Sequence, residues 1–317
     1  MAVLLASACG GGNDGIAGFR VALITPGSIA DAAWNAGAYD GLMQIRETMG
    51  VIVSHIEART PAEQEEALRT YAAQGYPLIF AHGFEFQDAA ERVAVDYPET
   101  IIAITSGQRV TGNVVPLIYR LREPSYLAGM VAAAVSKSGR IGFVGGIELP
   151  PVRMGYEAWV NGARAVNPDI DARATYLNNF DDAVAGREAA LALIRTGVDV
   201  LSHNADAAGL GVFRAATEVP GVYVIGSNKD QRSLAPDRVL GSAVIDLPRS
   251  FLLLAQEVQE GRFTPREESF GLDTGVLSYV PNPALDSLLP AGFAARLAAA
   301  ADSIKAGTLV TVQAPQR

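Results

Sequence analysis

Polar and aromatic side chains follow the ends of several short apolar runs in this chain, where they could bind a small molecule. The first of these loops carries Asp31, Trp34 and Asn35. The other candidates occupy the same kind of position, just after an apolar run: His82, Phe84, Ser106, His203, Asn204, Asp206, Asn228 and Asp246. Hydrogen-bonding groups around an aromatic face are typical of a pocket for a flat, polar molecule.

The sequence lacks the short motifs of several common catalytic and cofactor sites. It contains no G-x-x-x-x-G-K-[ST] phosphate loop, no C-x-x-C pair, no H-E-x-x-H and no G-x-S-x-G. The pair Gly209 and Gly211 is not followed by the third glycine of a dinucleotide fingerprint. The three histidines, His55, His82 and His203, are far apart in sequence. We therefore expect neither a metal site nor a cofactor.

Several of these residues also have a purely structural explanation. Asp31 could cap the helix that starts beside it, Trp34 could pack in the core, and His203 could be a buried histidine at a strand end. Asp181 and Asp182 are adjacent, and adjacent helix positions diverge by about 100 degrees. We interpret them as capping residues rather than as a catalytic carboxylate pair.

Cys9 is the single cysteine, and its flanks resemble those of a bacterial lipidation site. The apolar run Val3–Ala8 precedes it, and the glycine-rich tract Gly10–Gly15 follows it. This arrangement resembles the lipobox of lipoproteins, whose cysteine carries the lipid anchor. Because no Lys or Arg lies before the apolar run, we expect the natural start codon to lie upstream. The alternative is a cysteine that packs as a small hydrophobic residue.

Composition and charge indicate a globular protein with no nucleic-acid partner. The chain has 317 residues, of which 49% are hydrophobic, which is enough for two domains with their own cores. Its net charge is −9, and its basic residues are scattered, which disfavours binding to phosphate backbones. No stretch of sequence approaches the roughly 20 apolar residues of a membrane span. A single cysteine excludes an internal disulfide.

Strand-like runs alternate with alanine-rich segments of helical spacing. The runs rich in β-branched residues predict strands over 19–25, 51–57, 77–83, 100–107, 140–146, 172–178, 198–205 and 222–228. The segments between or after them predict helices over 33–49, 61–74, 85–97, 124–138, 152–166, 181–196, 209–218 and 248–260. This alternation predicts parallel sheets with helices on both faces.

Such a series could close into one barrel or form two lobes, and the stretch 112–123 favours two lobes. It contains a strand-like run with no helix before it, as expected where a chain leaves one sheet for another. Two more extended stretches, 237–246 and 271–281, complete a three-strand hinge. The predicted α/β fold therefore has two doubly wound parallel-sheet lobes that face one cleft with their strand ends.

The chain divides into three predicted parts. We assign 1–18 to a signal remnant and tether, 19–118 plus 247–270 to the N-terminal lobe, and 119–246 plus 271–317 to the C-terminal lobe.

The order of motifs resembles that of the basic membrane protein family. The motifs span roughly residues 19–280 and are Asp31-x-x-Trp34-Asn35, Gly83-Phe84, Tyr97-Pro98, Tyr126–Gly129, Gly142–Gly146, Ile225-Gly226 and Asp230-Gln231. Members of this family are lipid-anchored substrate-binding proteins of ABC importers, and several bind purine nucleosides. The resemblance implies the type I periplasmic-binding-protein fold, a permease and an ATPase as partners, and no catalysis.

The resemblance also implies roles for residues of the first and later ligand loops. Asp31 and Asn35 match the family's first ligand loop, and Trp34 stands where the family has Phe. Ser202 occupies a position that is often Phe and stacks on the base. The neighbouring His203 is the candidate to stack in its place.

Other positions depart from the family's pattern. Ser106 and Asn228 stand where the family has Asp, and Ile245 stands where a ribose-binding Lys is expected, with Asp246 beside it. Carboxylates are strong acceptors for paired hydroxyls, so these differences put ribose recognition in question.

The leading hypothesis is a lipid-anchored receptor outside the cytoplasm that captures a small polar heterocycle, with a purine nucleoside or base favoured. Another small aromatic or polyhydroxylated metabolite is the alternative ligand. A ligand-sensing receptor subunit is the alternative function. A nucleoside hydrolase would need an aspartate cluster that holds a divalent cation, and the strand ends offer only Asp230 with Asp246.

Overall fold

Twelve strands form the framework of the described residues, which are 18–312 of the computed structural model. In chain order they are β1 (Arg20–Thr25), β2 (Ile52–Glu57), β3 (Leu78–His82), β4 (Ile101–Thr105), β5 (Val114–Tyr119), β6 (Arg140–Gly145), β7 (Asp171–Tyr176), β8 (Val200–Asn204), β9 (Tyr223–Asn228), β10 (Val239–Ile245), β11 (Glu268–Phe270) and β12 (Leu277–Pro281). The predictions for Cys9 and its glycine-rich tract lie outside the described residues.

Nine α-helices of the described chain pack on these strands. They are α1 (Trp34–Met49), α2 (Pro61–Ala73), α3 (Gln87–Ala94), α4 (Arg122–Val135), α5 (Pro150–Val166), α6 (Ala183–Arg195), α7 (Asp206–Glu218), α8 (Leu247–Gln259) and α9 (Phe293–Lys305). Short 3₁₀ helices cover Phe84–Phe86, Arg232–Leu234 and Pro283–Leu288.

The strands form two six-stranded sheets with the same winding. The first sheet has the order β11-β5-β4-β3-β1-β2, and the second has the order β12-β10-β9-β8-β6-β7. All pairs are parallel except β10 with the edge strand β12. The strand order reverses at β1 and β3 in one sheet and at β6 and β8 in the other, and open α/β sheets bind ligands beyond such points. The predicted pair of doubly wound lobes is confirmed.

The chain passes between the sheets three times, from β5 to β6, from β10 to β11 and from β11 to β12. Within the second passage, between β10 and β11, α8 packs on the first sheet, where Phe251 stacks on Phe80 with ring centroids 3.9 Å apart. The division of the chain into the lobes given above remains a proposal.

Two helix starts follow directly from the local sequence. Thr60 and Glu63 form a capping box at α2, in which Thr60 N donates to Glu63 Oε2 over 2.9 Å and Glu63 N donates to Thr60 Oγ1 over 3.3 Å. At α6 the carboxylate of Asp182 accepts from the backbone N–H groups of Val184 and Ala185, both at 2.9 Å. The capping role predicted for Asp182 is confirmed.

Helices α7 and α9 illustrate where the structure differs from the sequence prediction. Helix α7 begins at Asp206, three residues before its predicted start, and Asp206 has a φ of +45°, a conformation that helix propensities do not anticipate. Helix α9 was not predicted, although its alanine-rich segment places Phe293 and Ile304 in the core.

Glycines allow α4 and α5 to pack closely on each other. A Cβ atom at Gly129 would collide with the backbone carbonyl of Trp159, and one at Gly162 would collide with that of Tyr126. The Tyr126–Gly129 motif is therefore explained by helix packing.

Candidate functional site

A cavity of about 410 Å³ lies between the carboxyl ends of the two sheets. The first lobe contributes loops after β1 to β5, including Gly27, Phe84, Glu85, Ser106 and Tyr119. The second lobe contributes loops after β6 to β9 and the end of β10, including Ile147, Asn178, Phe180, Asn204, Asp206, Asn228 and Ile245. The volume lies within the range of small-molecule sites.

Trp34 provides an aromatic surface at the start of α1. The ring of His82 stacks on one face of the indole, with centroids 4.1 Å apart and planes at 26°. Tyr119 meets the indole edge at 6.1 Å and 87°. The other indole face has no aromatic partner among the described residues, so a flat ligand could stack there.

Phe180 adds an aromatic ring from the second lobe. It follows β7 and lines the cavity, and its ring lies directly over the backbone of Gly146. A Cβ atom at residue 146 would collide with this ring. The second glycine of the Gly145–Gly146 pair therefore lets Phe180 reach its place.

Seven of the predicted site residues line the cavity. They are Trp34, Asn35, Phe84, Ser106, Asn204, Asp206 and Asn228. Four others, Asp31, His82, His203 and Asp246, do not belong to its lining, and the structure gives each of them a different place.

Asp31 caps α1 and fixes the loop that carries Trp34. Its carboxylate accepts from the backbone N–H groups of Ala33, Asn35 and Ala36, at 2.9, 2.8 and 2.9 Å. It also accepts from Asn35 Nδ2 at 2.9 Å. With its oxygens occupied in this way, Asp31 supports the site from behind instead of facing the cavity.

His82 is buried beneath Trp34. Its Nε2–H donates to the Trp34 carbonyl over 3.0 Å, and its Nδ1 accepts from Thr105 Oγ1 over 3.0 Å. Burial lowers the pKa of His82 to about 3, so the ring is neutral. It holds the indole and does not line the cavity.

His203 is buried behind the second-lobe wall. Its Nε2–H donates to Gln231 Oε1 over 3.0 Å, and its ring packs at 79° to the ring of Phe213, with centroids 5.1 Å apart. Burial lowers the pKa of His203 to about 4. The stacking on ligand predicted for His203 does not fit this position, because the ring is enclosed by protein.

Asp246 is the N-cap of α8. Its carboxylate accepts from the Arg249 backbone N–H over 3.0 Å. Asp230, the other carboxylate considered for a hydrolase, pairs with Arg232 and is likewise absent from the cavity lining. Among the described residues, no group of three or more His, Cys, Asp or Glu is placed to hold a metal ion.

The backbone is strained where it meets the cavity. Four non-glycine lining residues have positive φ angles: Ser106 (58°), Asn178 (58°), Asp206 (45°) and Asn228 (68°). A non-glycine residue in the left-handed conformation costs of order 1–3 kcal/mol. Such residues cluster at ligand sites, where the unusual backbone directs particular polar groups toward the ligand. Both lobes thus direct strand-end groups at one space.

Several lining residues were missed by the sequence analysis. Asn178 ends the predicted strand 172–178 and Asn179 and Phe180 follow it, so the strand-end rule applied to the other loops would have found them. Arg59 and Glu85 each lie two residues after a predicted strand, 51–57 and 77–83, so the same rule applies to them.

Acidic groups dominate the charges that line the cavity. Glu85, Asp181 and Asp206 face it, and Arg59 is the one basic residue among the described lining residues. Arg59 pairs with Glu57 at 2.5 Å and with Asp181 at 3.5 Å. Burial, reinforced by Asp31 and Glu85, raises the pKa of Asp206 well above its usual value.

Polar contacts between described residues join the lobes across the cleft. Lys229 Nζ lies 2.6 Å from Asp40 Oδ2, and Arg59 of the first lobe reaches Asp181 of the second. Gln231 Nε2, from the second lobe, donates to the Ala32 carbonyl over 3.2 Å. The lobes are therefore in contact around the cavity.

No helix of the described residues combines the length and apolar character needed to cross a membrane.

The family described as "ABC transporter substrate-binding protein PnrA-like" matches residues 19–289. Basic membrane protein A2 of Borrelia garinii subsp. bavariensis is 34% identical over 274 residues, which cover 83% of this chain and 80% of that protein. The transcriptional activator protein med of Bacillus subtilis is 26% identical over 259 residues, which cover 81% of this chain and 80% of that protein.

Among solved structures, an ABC transporter solute-binding protein of Aeropyrum pernix K1 has a similar fold. The TM-score is 0.85 at 23% identity, with 93% of this chain and 94% of that chain covered. At this identity the likeness shows a common fold.

Proposed function

Since the chain belongs to the PnrA-like family of ABC transporter substrate-binding proteins, we propose that it captures a purine nucleoside or base outside the cytoplasmic membrane. The observation that carries this proposal is the cavity of about 410 Å³ between the lobes, with Trp34 on one side and strand-end polar groups around it. A flat heterocycle can stack on the indole while its edge meets Asn35 and Asn204.

Closure of the lobes provides the mechanism of capture. The chain crosses between the sheets three times, and such connections allow hinge motion without disturbing either sheet. A ligand that touches both walls favours the closed form by the difference in its affinity for the closed and open forms. The closed complex is then the form that a permease and its ATPase would receive.

Calorimetric titration of the purified protein with nucleosides, bases, sugars and amino acids tests the ligand class. We expect saturable binding of one molecule of a purine nucleoside or base. Binding confined to sugars or amino acids would contradict the proposal. The same samples, analysed by chromatography after prolonged incubation, should contain unaltered ligand, and release of free base from a nucleoside would show hydrolysis instead of capture.

Membrane attachment through Cys9 is the second part of the proposal. The lipobox-like surroundings of Cys9 support it, because one thioether-linked diacylglycerol together with a further chain gives stable anchoring. Expressed with its natural start, Cys9→Ser should move the protein from the membrane fraction to the soluble fraction. Retention of Cys9→Ser in membranes would refute the anchor.

A ligand sensor is the second candidate function, and the similarity to a transcriptional activator protein favours it. Uptake of labelled ligand by cells that lack this protein separates the two functions. An importer subunit predicts loss of uptake, whereas a sensor predicts normal uptake and a lost transcriptional response.

A further inference from the structure

We propose that Glu85 and Asp206 act as a pair of carboxyl groups, one from each lobe, that selects ligands by their hydrogen-bond donors and rejects ligands that carry an anionic group. This inference rests on the proposed function and specifies which chemical features of the ligand the cavity reads. Both residues line the cavity, Glu85 after β3 of the first sheet and Asp206 after β8 of the second.

Glu85 is directed into the cavity by the backbone beside it. It belongs to the 3₁₀ turn Phe84–Phe86, which follows Gly83, whose φ is +147°. The Glu85 carboxylate folds over Gly83 and occupies the space that a Cβ atom there would need. The Glu85 carboxylate accepts from the backbone N–H of Glu85 itself. No side chain of the described residues donates to it, so part of its acceptor capacity remains for a ligand.

Asp206 presents a second incompletely bonded carboxyl group. The residue is only 7% exposed, and its Oδ1 accepts from Asn228 Nδ2 over 3.3 Å. Its Oδ2 accepts no hydrogen bond from the residues that the structure describes. A donor on a ligand in the cavity can therefore bond this oxygen, at a residue that is otherwise enclosed by protein.

Asn35 provides an independent indication that the ligand is a donor. The residue is 4% exposed and lines the cavity. Its Nδ2 donates to Asp31, which fixes the amide orientation, and its buried Oδ1 has no partner among the described residues. Three acceptors, on Asn35, Glu85 and Asp206, therefore await donors at the same cavity.

The charges around the pair disfavour an anion. Burial is the main cause of the raised pKa of Asp206, the carboxyls of Asp31, Glu85 and Asp181 raise it further, and the hydrogen bond from Asn228 lowers it. Glu85 belongs to the same acidic wall, although its side chain is exposed to the open cleft. The nearby basic residue, Arg59, is engaged by Glu57 and Asp181. A ligand with N–H or O–H groups satisfies the acceptors, whereas a phosphate would add negative charge to an acidic cavity.

Affinities for a nucleoside and for its 5′-monophosphate test the proposal. The probes are adenosine and guanosine with their 5′-monophosphates, and the proteins are the wild type, Glu85→Gln, Asp206→Asn and the control Asp88→Asn. Asp88 lies three residues beyond Glu85, its side chain is 79% exposed, and it does not line the cavity.

We expect the wild type to bind a nucleoside at least about 100-fold more tightly than its monophosphate. Each of the two site variants should weaken nucleoside binding about 10-fold or more, because an amide NH₂ group, which cannot accept a hydrogen bond, replaces one carboxyl oxygen. Each should also narrow the preference for nucleoside over monophosphate, while Asp88→Asn changes neither quantity. Equal wild-type affinity for both forms, or an unchanged preference in both site variants, would overturn the proposal.

The melting temperature of the free protein separates selection from a structural role. Asp206→Asn removes a buried acidic group, so it should raise the melting temperature while it weakens binding. A lowered melting temperature would show that Asp206 stabilises the fold and would count against the proposal.

Failure of the proposed function would be recognised separately. If nucleosides and bases do not bind but another compound of the panel does, the ligand class is wrong, and the carboxyl pair is judged by the same two variants with that compound. A wild type that binds no compound of the panel overturns both proposals.

Discussion

At the scale of single residues, Trp34 determines the aromatic side of the cavity. Trp34→Ala should weaken binding of a purine ligand about 10- to 100-fold, because stacking of one base on an aromatic side chain contributes about 1–3 kcal/mol. The control is Tyr39→Ala, on the same helix but outside the cavity lining. Calorimetry checks both variants, and unchanged affinity in Trp34→Ala would remove the indole from the site.

Two buried histidines should make the fold sensitive to acid. The pKa values of His82 and His203 are lowered by burial to about 3 and about 4, whereas an unfolded histidine titrates near about 6.5. The unfolded state therefore binds protons first as the pH falls. The free energy of unfolding should be highest above about pH 6.5 and should decrease toward about pH 4, by up to about 1.4 kcal/mol per pH unit for each histidine.

Urea unfolding at several pH values measures this slope. His203→Gln keeps a hydrogen-bond donor beside Gln231 and removes the titrating group, so its slope between about pH 6.5 and about pH 4.5 should be smaller by about one proton. Identical slopes in His203→Gln and the wild type would contradict the assignment of a neutral, buried His203.

At the scale of elements, the contact between α4 and α5 depends on glycine. In Gly129→Ala the new methyl group meets the backbone carbonyl of Trp159, and backbone cannot move aside as a flexible side chain can. We expect the free energy of unfolding to fall by about 1–3 kcal/mol or more.

Gly155→Ala is the matched control within α5. A Cβ atom there meets only Ser125 Oγ, at 3.6 Å, so this variant should be neutral or stabilised by up to about 1 kcal/mol. Denaturant unfolding compares the two variants. An equal loss of stability in both variants would show that the close approach of α4 and α5 does not depend on the absence of a methyl group at Gly129.

At the scale of the whole molecule, ion pairs across the cleft contribute to closure. Lys229 and Asp40 lie on opposite lobes, and their side chains are 34% and 54% exposed. Exposed ion pairs contribute little, so Lys229→Met and Asp40→Asn should each lower ligand affinity by at most about fivefold. The double variant should lose no more ligand affinity than either single variant, because both substitutions break the same pair. Additive losses measured by calorimetry would show that the two residues act independently.

Sequence patterns anticipated the lobes and much of the cavity, for a physical reason. Parallel strands place their following loops at one edge of a sheet, so residues such as Trp34, Asn204 and Asn228 could be assigned to one site from their positions alone. The hydrogen bonds and packing of individual side chains could not be predicted from their positions in the sequence. Asp31 is saturated by backbone N–H groups of its own loop, and His82 is covered by the indole that it supports.

Two lining residues that the sequence analysis did not name, Phe180 and Glu85, have side chains placed by glycines. Phe180 reaches the cavity because Gly146, in the loop after β6, has no side chain, and the Glu85 carboxylate lies against Gly83, whose φ is +147°. Position after a strand could have assigned both residues to the site, but it could not have predicted these contacts.

Fluorescence titration of Trp159→Phe measures ligand capture at the cleft most directly. The chain has two tryptophans, and Trp159 is buried with its Nε1 unpaired among the described residues, so phenylalanine there loses no hydrogen bond and leaves Trp34 as the sole indole. Binding between the lobes predicts a saturable change in Trp34 emission when a purine nucleoside or base is added. Emission that stays constant while calorimetry records binding of the same ligand would contradict capture in this cavity.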